Sequence, residues 1–515
     1  MKLRLPKRRA WRVAIYLGAL LLIAIAIDMV VTDARRTIRP GYLTTRILEP
    51  RMPDGSIDYA AAADQHFAYG VMPENNAAVP LLQVFGRQAI ASNQPRDGVT
   101  TALGMPPLPD KGDYFVGYAE FMRIHKPAQA TSEPIEWDLP REFTYGPDTT
   151  PEIADWARAN DAALTRIVDA TRRPRFFIPL VAGYHPQTLI EVQIPHVKLL
   201  KEAGHTLYAR AQARLNVGDS AGFVEDALAL HRLSRLLSRS STMVEGVVAM
   251  SIETSAGELD TQAALSGRLS PQQAKHMIAE LDALGELPGY LDSIDHGERW
   301  LGLDTIQALA KLPPPEAGRL LNAIQGRHTY PAWTFRFLPI PYERTCREMN
   351  QAYDGMITAA NQRTFPERRA ALNLWSTEVE RGVQRGAYLN LLSADWAISL
   401  LLPALDRATV RIEKARMQYR LARVALALSV FKAERGAYPT TLAELSPTYL
   451  PTIPIDSFVE RPLVYLRTSD GYRLHSAGPN MKDEDGSGDD LLIEAGGATH
   501  AATTTKTSSA GPARS

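Results

Sequence analysis

The chain has 515 residues, 45% hydrophobic and 22% charged, enough for about three domains with substantial cores. Lysine plus arginine and aspartate plus glutamate number 57 each, so no global charge recruits nucleic acid, and no nucleic acid is expected as a partner. The single cysteine, Cys346, excludes an internal disulfide framework.

In chain order, the N-terminus carries Lys2, Arg4, Lys7, Arg8, Arg9 and Arg12, and residues 13–27 then run without a charge. Continued to residue 31, this run approaches the roughly 20 residues that cross a bilayer. Basic residues crowd its leading side, and only Arg35, Arg36 and Arg39 follow closely, so residues 1–12 are expected in the cytoplasm. Residues 13–31 are expected as one transmembrane helix in a bacterial inner membrane, with the bulk of the chain extracytoplasmic. Ala24, Ile25 and Ala26 also fit a signal-cleavage pattern, and that reading puts the bulk on the same side.

Residues 32–150 are rich in Pro, Gly and Asn and predict irregular chain with short helices. Residues 151–410 predict a helical domain. Leu199, Ala203, Leu207, Ala211 and Leu215 recur every four residues, Gly218 can close that helix, and Asp219 can cap the next. Phe223, Val224, Ala227, Leu230, Leu233 and Leu237 then supply the facing stripe of a helical hairpin. Ser270, Pro271 and Gln273 spell a further helix start. The hairpin resembles one tetratricopeptide unit, but no period of about 34 residues recurs, so no solenoid is expected.

Several motifs invite chemistry. Gly218–Gly222 matches the G-x-S-x-G of hydrolases, yet Ser220 falls in a helix–helix turn, not on a strand-to-helix elbow. Ser429 and Lys432 have S-x-x-K spacing without partner motifs. Glu202 and His205 lie one turn apart, but di-metal bundles need two such pairs. Stronger candidates are carboxylates inside apolar helical runs: Glu245 and Glu253, with Asp295, His296 and Glu298 beyond. Buried carboxylates either find cations, here Arg235, Arg239 or Arg299, or become reactive groups with raised pKa. If Glu245, Glu253 and Glu298 converged in a cleft, an extracytoplasmic hydrolase would follow.

Toward the C-terminus, Leu421, Val424, Ala425, Leu428 and Phe431 predict the apolar face of a long helix ended by Gly436 and Pro439. Thr441 and Glu444 start a short helix, and an alternating run around Asp470-Gly471 predicts a hairpin. The run DEDGSGDD follows, and residues 498–515 have almost nothing to bury, so a disordered tail is expected.

This order of a helix ending ALSVFKAERGAYP, then TTLAEL, YLPTIPIDSF, a hairpin and LHSAGPNMKDEDGSGDD resembles the globular part of the type II secretion major pseudopilin. The resemblance covers residues 411–497 and implies a helix packed on a small antiparallel sheet, with calcium in the last loop. Calcium takes six to eight oxygens, and Asp483, Asp485, Asp489 and Asp490 offer carboxylates while Gly486 and Gly488 permit tight turns. The N-terminus lacks a prepilin-peptidase site, and Ser457 stands where the family usually has proline. A borrowed domain is therefore expected, not a polymerising pilus subunit. The expectation for the whole is mainly α with a small α+β C-terminal domain. Its expected role is scaffolding, through envelope or secretion proteins as partners.

Overall fold

The computed structural model describes residues 37–95, 97–125, 151–180, 188–325, 341–386 and 394–496. The expected transmembrane segment at 13–31 and the expected tail at 498–515 lie outside the described residues. No described helix is long and apolar enough to cross a membrane. The described chain is mainly helical, with a small antiparallel sheet near its C-terminus.

Short helices at Tyr59–Phe67, Ala78–Phe85 and Tyr118–His125 sit among irregular segments early in the chain. The helical body follows with α1 (Pro195–Val217), α2 (Ser220–Leu237), α3 (Met243–Ser266) and α4 (Pro271–Leu284). Next come α5 (Arg299–Lys311), α6 (Tyr342–Ala360), α7 (Phe365–Gly386) and the long α8 (Ala394–Arg435). The local signals explain the ends. Gly218 closes α1 in the left-handed region at φ 84°, and the Asp219 side chain accepts the Gly222 N–H to cap α2. Ser270 and Gln273 cap α4 reciprocally.

Helices α1 and α2 form the expected hairpin, and every residue of both stripes is buried. Helix α3 packs on both and along α8. Two clusters of buried apolar side chains result. One runs from Ala77 through the hairpin and residues 417–430 of α8 to Ile493, and the other joins α5, α6 and α7 to Ala408, Ile412 and Ala415 of α8. Helix α8 is therefore the beam that both cores share.

After α8 the chain turns through Gly436, at φ 79°, into a short 3-10 turn at Leu442–Leu445. Strands β1 (Ile455–Asp456) and β2 (Arg461–Pro462) pair with each other. Strands β3 (Val464–Arg467), β4 (Tyr472–Ser476) and β5 (Leu491–Ala495) make a second antiparallel sheet in that order, with Val464 opposite His475 and Ser476 opposite Leu491. The hairpin lies where Asp470-Gly471 predicts it. Buried Tyr472, Leu474 and Ile493 seat the sheet on α8, and the acidic run forms the connection from β4 to β5.

Candidate functional site

The three candidate carboxylates do not gather in one cleft. Glu245 and Glu298 meet at the start of α3, where helix N–H groups lack intrahelical partners. Glu245 accepts from the Thr242 backbone and hydroxyl at 3.2 and 2.9 Å and from His196 Nε2 at 3.1 Å. Glu298, at the end of a π turn (Ser293–Glu298), accepts the Met243 N–H at 2.9 Å, and burial raises its pKa. Both carboxylates satisfy a helix terminus. Arg299 does not serve them: it pairs with Asp295 at 2.9 Å and Asp354 at 2.8 Å.

Glu253 lies two turns deeper, inside a charged cluster that no solvent reaches. His231, Glu253 and Asp260 have side chains 0% exposed. The imidazole donates through Nδ1 to Glu253 at 3.0 Å and through Nε2 to Asp260 at 2.9 Å. A ring donating at both nitrogens is an imidazolium. Burial alone would lower its pKa, but the two carboxylates outweigh that and hold it at about 9. Arg235 also pairs with Glu253 and donates to the Gly285 carbonyl at 2.6 Å, just past the end of α4. The two acids shift in opposite directions despite equal burial. Burial raises both, but His231 and Arg235 both hydrogen-bond Glu253 and bring it down to about 2, while Asp260 is bonded by His231 only, lies near the Glu253 charge and ends raised despite a smaller pull from Arg235. The cluster sets two basic side chains against two acidic ones and ties α2 to α3 and to the end of α4.

A second internal pairing joins α1 to α2, where Arg210 grips the fully buried Asp226 with two bonds, 3.0 and 2.6 Å, and Arg214 adds a third at 3.0 Å. Glu202 is buried below Gly117, and burial lowers His205 to about 4, yet neither belongs to a group at metal-binding spacing among the described residues. Ser220 donates to the Arg268 carbonyl and Ser429 to the Leu426 carbonyl, both structural bonds.

The acidic connection between β4 and β5 is ordered by its own backbone. Asp490 Oδ2 accepts the N–H groups of Glu484 and Gly486 at 2.9 and 2.8 Å, and Asp489 Oδ2 accepts that of Asn480 at 2.8 Å. Gly488, at φ 62°, leaves room for the Glu484 carboxylate directly over its backbone. Glu484, Asp489 and Asp490 thus bring oxygens within 4.8 Å of one another. Asp489 Oδ1 and Asp490 Oδ1 are buried and accept no hydrogen bond among the described residues. This donor set, all carboxylate oxygen with two unsatisfied atoms, is of the kind that hard cations such as calcium and magnesium take. Asp483 is held by His475 Nε2 at 3.0 Å, which lowers its pKa. Asp483 also falls with His475 and Asp490 in a second group at metal-binding spacing, whereas Asp485 contributes its backbone: its N–H bonds Asp483, its carbonyl accepts from Arg473, and its carboxylate belongs to neither group. Glu484 is the residue that reading aspartates alone misses.

One open cleft of about 550 Å³ lies at the seam between the helical body and the sheet region. Arg363, Arg368, Arg416, Arg420 and Arg423 line it, against Glu286, Glu413 and Glu460. Arg368 pairs with Glu413 at 2.6 Å, Arg420 with Glu286 at 2.6 Å, and Arg423 with Asp282, which does not line the cleft. Five guanidiniums against four carboxylates leave a positive excess. Arg416 is 3.9 Å from an already engaged Glu413, and burial, with Arg368 and Arg420 nearby, lowers its pKa. An incoming anion would offset that desolvation. Comparison with protein-family models, curated proteins and solved structures finds no match.

Proposed function

We propose that the chain is a single-pass, membrane-anchored extracytoplasmic scaffold that binds an acidic partner of the envelope or secretion machinery, with a calcium ion in its C-terminal loop. The observation that carries binding over catalysis is the commitment of every candidate carboxylate: Glu245 and Glu298 cap a helix, and Glu253 is locked under His231 and Arg235. A general acid or base must reach solvent and substrate, and none of the three lines the cleft. The arginine excess there supports an anionic partner instead, because planar guanidiniums pair with carboxylates bidentately.

Membrane placement rests on residues 13–31 and is tested by a C-terminal alkaline phosphatase fusion. Activity is expected; an inactive fusion alongside an active cytosolic reporter at the same joint overturns it. The binding role is tested by crosslinking in intact membranes with Arg363→Glu, an exposed position at the mouth of the cleft. One or more crosslinked partners should disappear while the melting temperature stays within about a degree, since exposed substitutions of this kind rarely cost more than about 0.5 kcal/mol. An unchanged crosslinking pattern removes the cleft from the function.

A further inference from the structure

We propose that His66, Asp292 and His296 form a site for a divalent transition ion of the zinc type, held by two imidazole nitrogens and one carboxylate and completed by water. The three come from two stretches more than two hundred residues apart. His66 lies in the last turn of the Tyr59–Phe67 helix, Asp292 precedes the π turn (Ser293–Glu298), and His296 lies within it. Such π turns are uncommon and recur at functional sites, because the wider turn re-aims side chains.

Both ring nitrogens are already directed at one point. His66 Nε2 lies 3.0 Å and His296 Nδ1 2.8 Å from the same oxygen, Asp292 Oδ1. All three ligand atoms fall within 4.8 Å of one another. In tetrahedral zinc, metal–nitrogen and metal–oxygen distances near 2.0–2.2 Å put neighbouring ligand atoms about 3.3 Å apart. Opening the present nitrogen–oxygen separations by about 0.4 Å therefore admits an ion. The two imidazoles stack at 4.0 Å, and the edge of buried Trp300 meets both rings, at 5.9 and 5.2 Å, which limits their freedom to turn away.

The charge is also suitable. One carboxylate between two imidazoles is a net anion when both rings are neutral, and the nearby Arg299 is engaged by Asp295 and Asp354. Solvent reaches the site, with side-chain exposures of 35%, 59% and 33% for His66, Asp292 and His296, so water can complete the coordination. Two nitrogens and one oxygen select zinc, nickel, cobalt or copper over calcium and magnesium, which prefer oxygen alone. The site is thus chemically distinct from the acidic loop.

The test uses the full chain in detergent, stripped with a chelator, then titrated with Zn2+ by calorimetry and with Co2+ by visible absorption. One ion per chain with a micromolar or tighter Kd is expected, with the intense visible band of four-coordinate cobalt bound to nitrogen, and no competition from excess Ca2+. Loss of an outer-shell partner alone weakens metal sites about 10–100-fold, so His66→Gln and His296→Gln should each cost at least about 100-fold, while Asp490→Asn changes nothing. Metal-free His66→Gln should melt with the parent protein, which assigns the loss to the ligand. Absence of zinc binding by the parent, or binding that survives both histidine substitutions, overturns the proposal.

Discussion

Replacing His231 by leucine is expected to destabilise the fold by about 3–5 kcal/mol, read as a lower denaturation midpoint. The side chain is similar in bulk, so packing is not the main loss. The substitution leaves Glu253 and Asp260, two turns apart on α3, with Arg235 of α2 as the cation that remains beside them. Breaking one side of a buried charge pair costs far more than replacing the pair, because the remaining charge stays desolvated. The double variant His231→Leu with Asp260→Asn should therefore recover a large part of the loss, since Arg235 and Glu253 still balance. Recovery is expected because Asp260 Oδ1 has no partner among the described residues and its carboxyl is already pushed toward the neutral form. Additive losses in the two single variants and the double variant would sink this account.

The same cluster gives stability a pH signature. His231 is held at about 9, above its ordinary 6.5, so its contribution is complete below pH 6.5 and is lost as pH rises toward 9. Glu253 is held at about 2, below its ordinary 4.5, so its contribution is present above 4.5 and lost as pH falls toward 2. Asp260 is raised and so favours the folded state at acid pH. Within this cluster the stabilities overlap between about 4.5 and 6.5. The alkaline decline should flatten when His231 is replaced.

What the sequence made legible was local. The stripes of α1 and α2, the Gly218 stop, the Ser270 start and the Asp470-Gly471 hairpin each need only neighbours a few residues away. Glu245 and Glu253 stood out because they interrupt an apolar run. His231 did not, since a histidine beside Leu230 and Arg232 reads as part of a polar face. Its burial is decided by α3 and α8, through Glu253, Asp260 and the Tyr419 ring at 5.8 Å. A faint signal was present: Ala227 and Ser234, one turn either side on the same face, are small and leave room for an internal polar group. His66 and Asp292 are harder still, because no periodicity links residues 226 apart.

Calcium is expected to change the sign of a substitution in the last loop. Without the ion, Glu484, Asp489 and Asp490 hold three carboxylates within 4.8 Å, and their mutual repulsion opposes folding. Asp489→Asn should then be neutral or slightly stabilising, because the amide oxygen can still accept the Asn480 N–H that Asp489 Oδ2 accepts now. With calcium at about 100 times its Kd, the parent protein should gain about 2.7 kcal/mol, and Asp489→Asn should lose most of that gain. The backbone bonds from Glu484 and Gly486 to Asp490 reduce the ordering cost of binding, since they fix that carboxylate before any ion arrives. Thermal melts of the parent and Asp489→Asn, each with Ca2+ and with a chelator, give four curves. Crossing of the pair between the two conditions supports the ion, whereas parent curves that overlay with and without calcium leave the loop as plain acidic surface. Because the loop joins β4 to β5, whose Leu474 and Ile493 seat the sheet on α8, an ion here would couple calcium to the docking of the sheet and the seam where the arginine cleft opens.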